Sequence, residues 1–360
     1  MGKETTPPPH IWKGEFDFIE AGFHKRIPVF LFTKMLNSFN RKIDYLRISV
    51  TDRCNLRCIY CMPEGGVSSI NHDDILRYEE ISAIVKVAVK LGISKFRITG
   101  GEPLVRKGLV GFISSLKAIE GIEDLSVTTN GINLKEYAKP LYEAGLRRLN
   151  ISLDTLDEDK FMRIARQGSL KDVLGGIGQA LAVGFSPVKI NVVLIRGVND
   201  DEILDFAKLG FDRPLDIRFI ELMPIGESKF LDRDKVISIG EIRQRCEALG
   251  LLKEVDILNG NGPAEYYKFE GRQGRIGFIG AMTNPFCDRC NRLRLTADGY
   301  LKPCLGYENG VGLKSALRPV VDDDKIEESI KEAISLKPMG HNMAHSEFGN
   351  HLCHMSRIGG

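Results

Sequence analysis

No stretch of this chain stays apolar for the about 20 residues that a helix needs to cross a bilayer. The run Val29-Phe30-Leu31-Phe32, behind His24-Lys25-Arg26, is too short for a secretory core and has no cleavage site after it. Charge of one sign is also lacking: 50 Lys and Arg stand against 48 Asp and Glu, a formal net charge of +2. Neither nucleic acid nor a membrane is therefore expected as a partner, and any anion site must come from local clustering of Arg and Lys. The familiar nucleotide and hydrolase signatures are missing too. There is no Walker phosphate loop, no Gly-x-Gly-x-x-Gly after a strand and no Gly-x-Ser-x-Gly elbow. A nucleotide would have to be bound some other way. Without a secretory signal, eight cysteines argue against a disulfide framework. They point instead to a metal or redox role in a reducing compartment, and a cytoplasmic location is expected.

What is present begins with Cys54, Cys58 and Cys61, in the run Cys-Asn-Leu-Arg-Cys-Ile-Tyr-Cys. Closed structural zinc sites and ordinary four-iron clusters each take four protein ligands. Three thiolates on one tight loop suit three corners of an iron–sulfur cube and leave one metal position free. Zinc sites built from cysteine usually pair two separate knuckles instead. A second group, Cys287, Cys290 and Cys304, is less distinctive. Its spacing suits zinc or iron–sulfur, and His341, His345, His351 or His354 could complete a zinc site. Beside the first group, a second cluster with an open iron is favoured. Cys246 lies on a helical pattern and reads as a small buried hydrophobe; Cys353 sits in the His-rich tail.

The 360 residues, 43% hydrophobic and 27% charged, have ordinary globular composition. Residues 1–37 are Pro-rich with no clear period and read as a loosely ordered extension. From Asp44 onward strand-like runs alternate with helical stretches: Tyr45–Val50, Lys95–Ile98, Leu125–Thr128, Arg148–Leu153, Val188–Ile195 and Asp216–Leu222. Six such units predict parallel βα units and favour an incomplete (βα)6 barrel of the TIM type over residues 38–235, with an open doubly wound sheet as the alternative that periodicity leaves open. Strand one runs into the cysteine loop; the next three end in Thr99-Gly100-Gly101-Glu102-Pro103, Thr128-Thr129-Asn130-Gly131 and Ser152-Leu153-Asp154. Barrel enzymes build their sites at these ends. After Met223 the pattern changes. Residues 236–360 read as an α+β region: a helix over Ser238–Leu249 with a Ser238/Glu241 capping box, then β runs Glu265–Phe269 and Arg275–Ala281.

Arg292 and Arg294 fall two apart after Cys290 and should share one strand face, where two guanidinium forks would hold phosphate. Arg47, Lys95, Arg97, Lys189 and Arg218 lie on the barrel strands. Unpaired cations inside a barrel are costly, so several of them suggest an anionic ligand.

The three-cysteine loop with Gly100-Gly101-Glu102-Pro103 resembles the radical S-adenosylmethionine (SAM) superfamily. Leu46–Cys54, Arg97–Pro103, Cys287–Arg294 with Cys304, and the terminal Ile358-Gly359-Gly360 narrow the resemblance to the GTP 3′,8-cyclase family of molybdenum-cofactor biosynthesis. The resemblance covers residues 38–360. It implies a partial barrel whose mouth is closed by the C-terminal region, and two 4Fe–4S clusters, one on Cys54, Cys58 and Cys61, the other on Cys287, Cys290 and Cys304. It implies SAM contacts at Tyr60, Gly101, Glu102, Ser152 and Met223. GTP contacts would be Arg47, Arg97, Thr128, Lys189, Arg218, Arg292 and Arg294, with Lys95 lining the same cavity and Gly359-Gly360 reaching into it. The implied reaction reduces SAM to a 5′-deoxyadenosyl radical, which takes hydrogen from C3′ of GTP so that C3′ attacks C8 of guanine. Implied partners are a flavodoxin- or ferredoxin-type reductant, the downstream cyclic pyranopterin monophosphate synthase, and a second copy in a homodimer.

Overall fold

The computed structural model describes residues 35–225, 232–256, 262–341, 343 and 355–359. The N-terminal extension up to residue 34, and Cys353 with His345, His351 and His354, lie outside the described residues.

The strands of the six repeated units are β1 (Tyr45–Ser49), β2 (Lys95–Thr99), β3 (Asp124–Thr129), β4 (Arg148–Ser152), β5 (Val188–Leu194) and β6 (Leu215–Glu221). Their helices are α1 (Tyr78–Lys90), α2 (Leu109–Lys117), α3 (Leu134–Glu143), α4 (Glu158–Ala165) with α5 (Leu170–Ala182), and α6 (Ile203–Leu209). After them come α7 (Ile239–Cys246), β7 (Leu252–Glu254), β8 (Glu265–Phe269), β9 (Arg275–Ile279), β10 (Arg292–Leu295), β11 (Tyr300–Lys302) and β12 (Val311–Gly312). The chain ends with α8 (Lys314–Leu317), α9 (Asp323–Ser335) and α10 (Met355–Ile358).

One sheet contains all twelve strands, in the order β12-β11-β10-β1-β2-β3-β4-β5-β6-β9-β8-β7. β1 to β6 pair in parallel, as the alternating pattern predicts. The C-terminal region lengthens the same curved sheet at both edges: β10 adds parallel to β1, and β9 adds parallel to β6. Antiparallel strands then finish each side. β9 and β10 are not neighbours, so the barrel stays open.

The strands alternate with period two, and the two faces differ in kind. One in-register row reads Leu295, Ile48, Ile98, Val127, Leu149 and Val188. Every one of these side chains is fully buried, in one core with Ile81, Ile84, Val85 and Ala88 of α1. The adjacent row, on the opposite face, reads Arg294, Arg47, Arg97 and Ser126. The helix-covered side is therefore hydrophobic, while the interior is polar and cationic, unlike the packed apolar interior of an ordinary barrel.

Ser238 caps α7, its hydroxyl accepting from the Glu241 amide at 3.2 Å. The reciprocal half of the expected capping box is not made, because the Glu241 carboxylate turns to Arg196 at 2.7 Å and Arg245 at 2.6 Å. A buried carboxylate, Glu221 at the end of β6, accepts from the amides of Ile239 (2.8 Å), Met282 (2.7 Å) and Thr283 (2.9 Å). That ties α7 and the approach to the second cysteine group to the barrel. Cys246 is buried on α7, as its pattern indicates.

Candidate active site

The first cysteine loop leaves β1 and is sewn onto the end of α4 by backbone bonds from Arg57 to Ala165 and from Ile59 to Ile164, each 2.9 Å. Arg166, in the left-handed conformation at φ 61°, donates from Nη1 to the carbonyls of Arg57 and Met62 at 3.2 Å. The Gly100-Gly101 turn packs directly against this loop. Gly101 donates to the Thr51 carbonyl at 2.6 Å and Glu102 to the Arg53 carbonyl at 2.8 Å. A Cβ on Gly101 would stand 2.6 Å from the Asp52 carbonyl oxygen. The glycines are thus demanded by the chain's own backbone.

Burial pushes the Cys54 thiol up to about 11 and Cys61 to about 12, and raises Cys58 as well. None of the three is in a disulfide. The Leu56 amide (3.4 Å) and Asn130 Nδ2 (3.8 Å) donate to the Cys54 sulfur. Three desolvated soft donors on one loop, with amides aimed at a sulfur, fit a three-legged iron–sulfur cluster.

Of the SAM-site candidates, Gly101 and Glu102 lie in the turn just described, Ser152 ends β4, and Met223 follows β6. Tyr60 donates to Asp154 at 2.6 Å, and Asp154 also accepts from the Val193 amide at 2.8 Å. Burial lifts Asp154 to about 6. Both oxygens of Glu102 are engaged, by the Leu104 amide (2.9 Å), the Thr129 hydroxyl (2.8 Å) and the Asn130 amide (2.6 Å). Its carboxylate, raised by burial to about 7, laces the end of β2 to the end of β3.

Cys287, Cys290 and Cys304 line one cavity with Met223, Phe286, Arg292, Arg294 and Lys337. Burial would raise the Cys290 thiol, but the charges of Arg292 and Lys337 outweigh it and hold it at about 7. Three cysteines around one cavity beside cations fit a second iron–sulfur cluster.

The cations behave as the alternation predicts. Burial, then the neighbouring Arg294 and Arg97, drive the Arg47 guanidinium well below its usual value. Burial and Arg292 bring Arg294 to about 10. Lys189, buried beside Arg218, falls to about 7 and donates to the Tyr266 hydroxyl at 3.2 Å. Arg218 donates to Asn150 at 2.7 Å, and the Thr128 hydroxyl and Arg292 Nε are buried without hydrogen-bond partners. Lys95 stands apart: it starts β2, at the far end from the cysteine loop, and pairs with Asp44 at 3.0 Å.

The C-terminal tail joins the two triads. The Ser356 backbone hydrogen-bonds the Cys61 sulfur, Ile358 packs with Ile225 and Met343 beside Met223, and the Gly359 carbonyl accepts from Arg294 at 2.7 Å. Gly359 takes φ 72°, and a Cβ there would lie 2.5 Å from Thr99 Cγ2.

Sequence reasoning missed Asp154 as an anchor for Tyr60, Tyr266 as the partner of Lys189, and both Arg41 and Lys337 beside the second triad. Only Asp154 carried a signal, as the last polar residue at a strand end.

A half-open parallel barrel with a three-cysteine loop at its rim, and a cationic interior leading to a second triad, defines a radical SAM enzyme. The family model of the Radical SAM superfamily matches residues 48–210, and that of Molybdenum Cofactor Synthesis C matches residues 215–343. The GTP 3′,8-cyclase of Thermodesulfovibrio yellowstonii is 52% identical over 328 residues, 91% of this chain and 100% of that protein. The GTP 3′,8-cyclase of Moorella thermoacetica is 50% identical over 86% of this chain and 95% of that protein. The crystal structure of Streptococcus suis SuiB bound to S-adenosylmethionine has a similar fold, at TM-score 0.56 and 15% identity, covering 81% of this chain and 69% of that one. The chain belongs to the GTP 3′,8-cyclase family.

Proposed function

We propose that the protein converts GTP to (8S)-3′,8-cyclo-7,8-dihydroguanosine 5′-triphosphate, the first step of molybdenum-cofactor biosynthesis. The observation that carries this is the row of Arg294, Arg47 and Arg97 on three adjacent strands. Three guanidiniums on one interior face repel one another in a low-dielectric space. A triphosphate relieves that repulsion and offers each fork its oxygens.

Cys54, Cys58 and Cys61 would hold one 4Fe–4S cluster, with Tyr60, Gly101, Glu102, Ser152 and Met223 around SAM; Cys287, Cys290 and Cys304 would hold the other. Bound together, the first cluster and SAM supply reductive cleavage and hydrogen-atom abstraction. The chain's own part is to bind, orient and keep water out. Arg47, Arg97, Thr128, Lys189, Arg218, Arg292 and Arg294 grip the substrate. The Gly359 carbonyl fixes the Arg294 fork, and Ile358 with Met343 and Ile225 lays an apolar wall next to Met223. That wall protects a reactive radical from solvent.

In this scheme residues 38–235 carry the SAM chemistry and residues 236–360 the second cluster. A flavodoxin- or ferredoxin-type reductant, a downstream cyclic pyranopterin monophosphate synthase, a homodimer and a cytoplasmic setting complete the proposal. No helix among the described residues is long and apolar enough to cross a membrane.

The test is anaerobic incubation with SAM, a reductant and GTP deuterated at C3′. Deuterium should appear in 5′-deoxyadenosine, together with a new nucleotide separable from GTP by chromatography. Deoxyadenosine that forms without label would sink the assignment.

A further inference from the structure

We propose that Lys337 is the positioning residue of the second cluster: its ammonium ties the segment carrying Cys290 to the segment carrying Cys304 and sets a fixed positive charge against the metal they hold. This rests on the assignment of Cys287, Cys290 and Cys304 as ligands.

Lysine is almost never fully buried without a partner, yet Lys337 is only 2% exposed. Its partners are unusual. Nζ donates to the Arg292 carbonyl at 2.7 Å and to the Pro303 carbonyl at 2.8 Å. Arg292 lies two residues beyond Cys290, and Pro303 immediately precedes Cys304. Cys290, Cys304 and Lys337 line the same cavity. One ammonium thus spans both cysteine segments through their backbone carbonyls.

The lysine is itself held. Arg41 donates to the carbonyls of Cys287 and Pro338, each at 2.5 Å, and of Met339 at 3.2 Å. The stretch just past α9 is therefore buckled to the third cysteine of the triad. Arg41 and Lys337 together brace all three cysteines, and each does so through groups that are not ligands. Residues that orient ligands in this way are worth about 10–100-fold in metal affinity. Net charge and hydrogen bonds to the sulfurs set the reduction potential of such a cluster. A nearby cation favours the reduced form.

The experiment compares wild type, Lys337→Met and Lys337→Arg after anaerobic reconstitution, reading iron content and the potential of each cluster by EPR-monitored titration. Wild type should hold about eight irons per chain; four would refute the ligand assignment itself, before Lys337 is at issue. Lys337→Met should lose iron from the second cluster alone. Where it keeps that iron, the ratio of reduced to oxidised cluster at a fixed potential should fall about tenfold, which is about 59 mV for a one-electron couple. Lys337→Arg keeps the charge and should retain more iron and a potential closer to wild type. A second cluster unchanged in iron and potential in Lys337→Met would overturn the proposal. Joint loss of both clusters would overturn it as well, since Lys337 would then serve the fold in general.

Discussion

Single residues here trade stability for binding. Arg47 stands between Arg97 and Arg294, partly buried, and desolvation and those neighbours disfavour its charge in the fold. Replacing a buried charge by an apolar side chain of similar volume is often neutral or stabilising by about 1–4 kcal/mol. Arg47→Met should therefore raise the urea midpoint of the apoprotein while weakening GTP binding by about tenfold or more, since one fork of the row is gone. Calorimetry and denaturation on the same preparation would check both halves. Arg292→Ala should weaken GTP binding and leave the iron content at the wild-type level. Gly101→Ala should act the other way round: its Cβ meets backbone in the cysteine loop, which cannot step aside. A cost of about 1–3 kcal/mol and poorer iron loading are expected. The cysteines and arginines of the site were legible because ligand spacing and strand alternation are local patterns. Lys337 and Arg41 were not, because their partners are backbone carbonyls far away in sequence. No residue type announces a carbonyl that needs a donor.

The elements were easier to read than their neighbours. Each of the six barrel strands lies within one or two residues of where its apolar run placed it, because a β-branched run bounded by polar turn residues is a strong signal. The parallel addition of β9 and β10 at opposite edges of the sheet left no such trace. A strand four residues long, preceded by a cysteine loop, says nothing about its partner. The start of α1 shows how remote contacts decide an element. Glu80 receives the Arg77 amide at 2.6 Å, and Arg318 through Nε (2.6 Å) and Nη2 (2.9 Å). Burial alone would raise its carboxyl, but the bonds from Arg318 and Arg77 prevail and hold it at about 2. The unfolded value is about 4.3. The resulting stabilisation is whole above that unfolded value and is lost as pH falls from it toward about 2. Glu80→Gln should remove this component, so the difference in urea midpoint between wild type and variant should shrink steadily from pH 5 to pH 2.5. A difference that stays constant over that window would show that the ion pair is not what α1 draws on.

At the scale of the molecule, the division proposed at residue 235 does not follow the hydrogen bonds. β1 and β6 would be the edge strands of a barrel made from residues 38–235 alone, and in the full chain both are interior strands of one sheet. Cutting the chain there strips β10 from β1, whose buried Leu46 and Ile48 pair with Leu293 and Leu295. It also strips β9 from β6, whose buried Ile217 and Phe219 pair with Ile276 and Phe278. Two unpaired strand edges carrying apolar side chains are a template for association with other chains. The interior row would in addition lose Arg294, and with it the link from the Gly359 carbonyl to the barrel. Expressed alone, residues 38–235 should therefore collect in aggregates or bind hydrophobic dyes strongly, even with the first cluster reconstituted. Sedimentation of the fragment and its thermal melt decide the matter. A monodisperse monomer with one cooperative transition would mean that the six-stranded barrel folds by itself, and that β9 and β10 are later additions to a finished core.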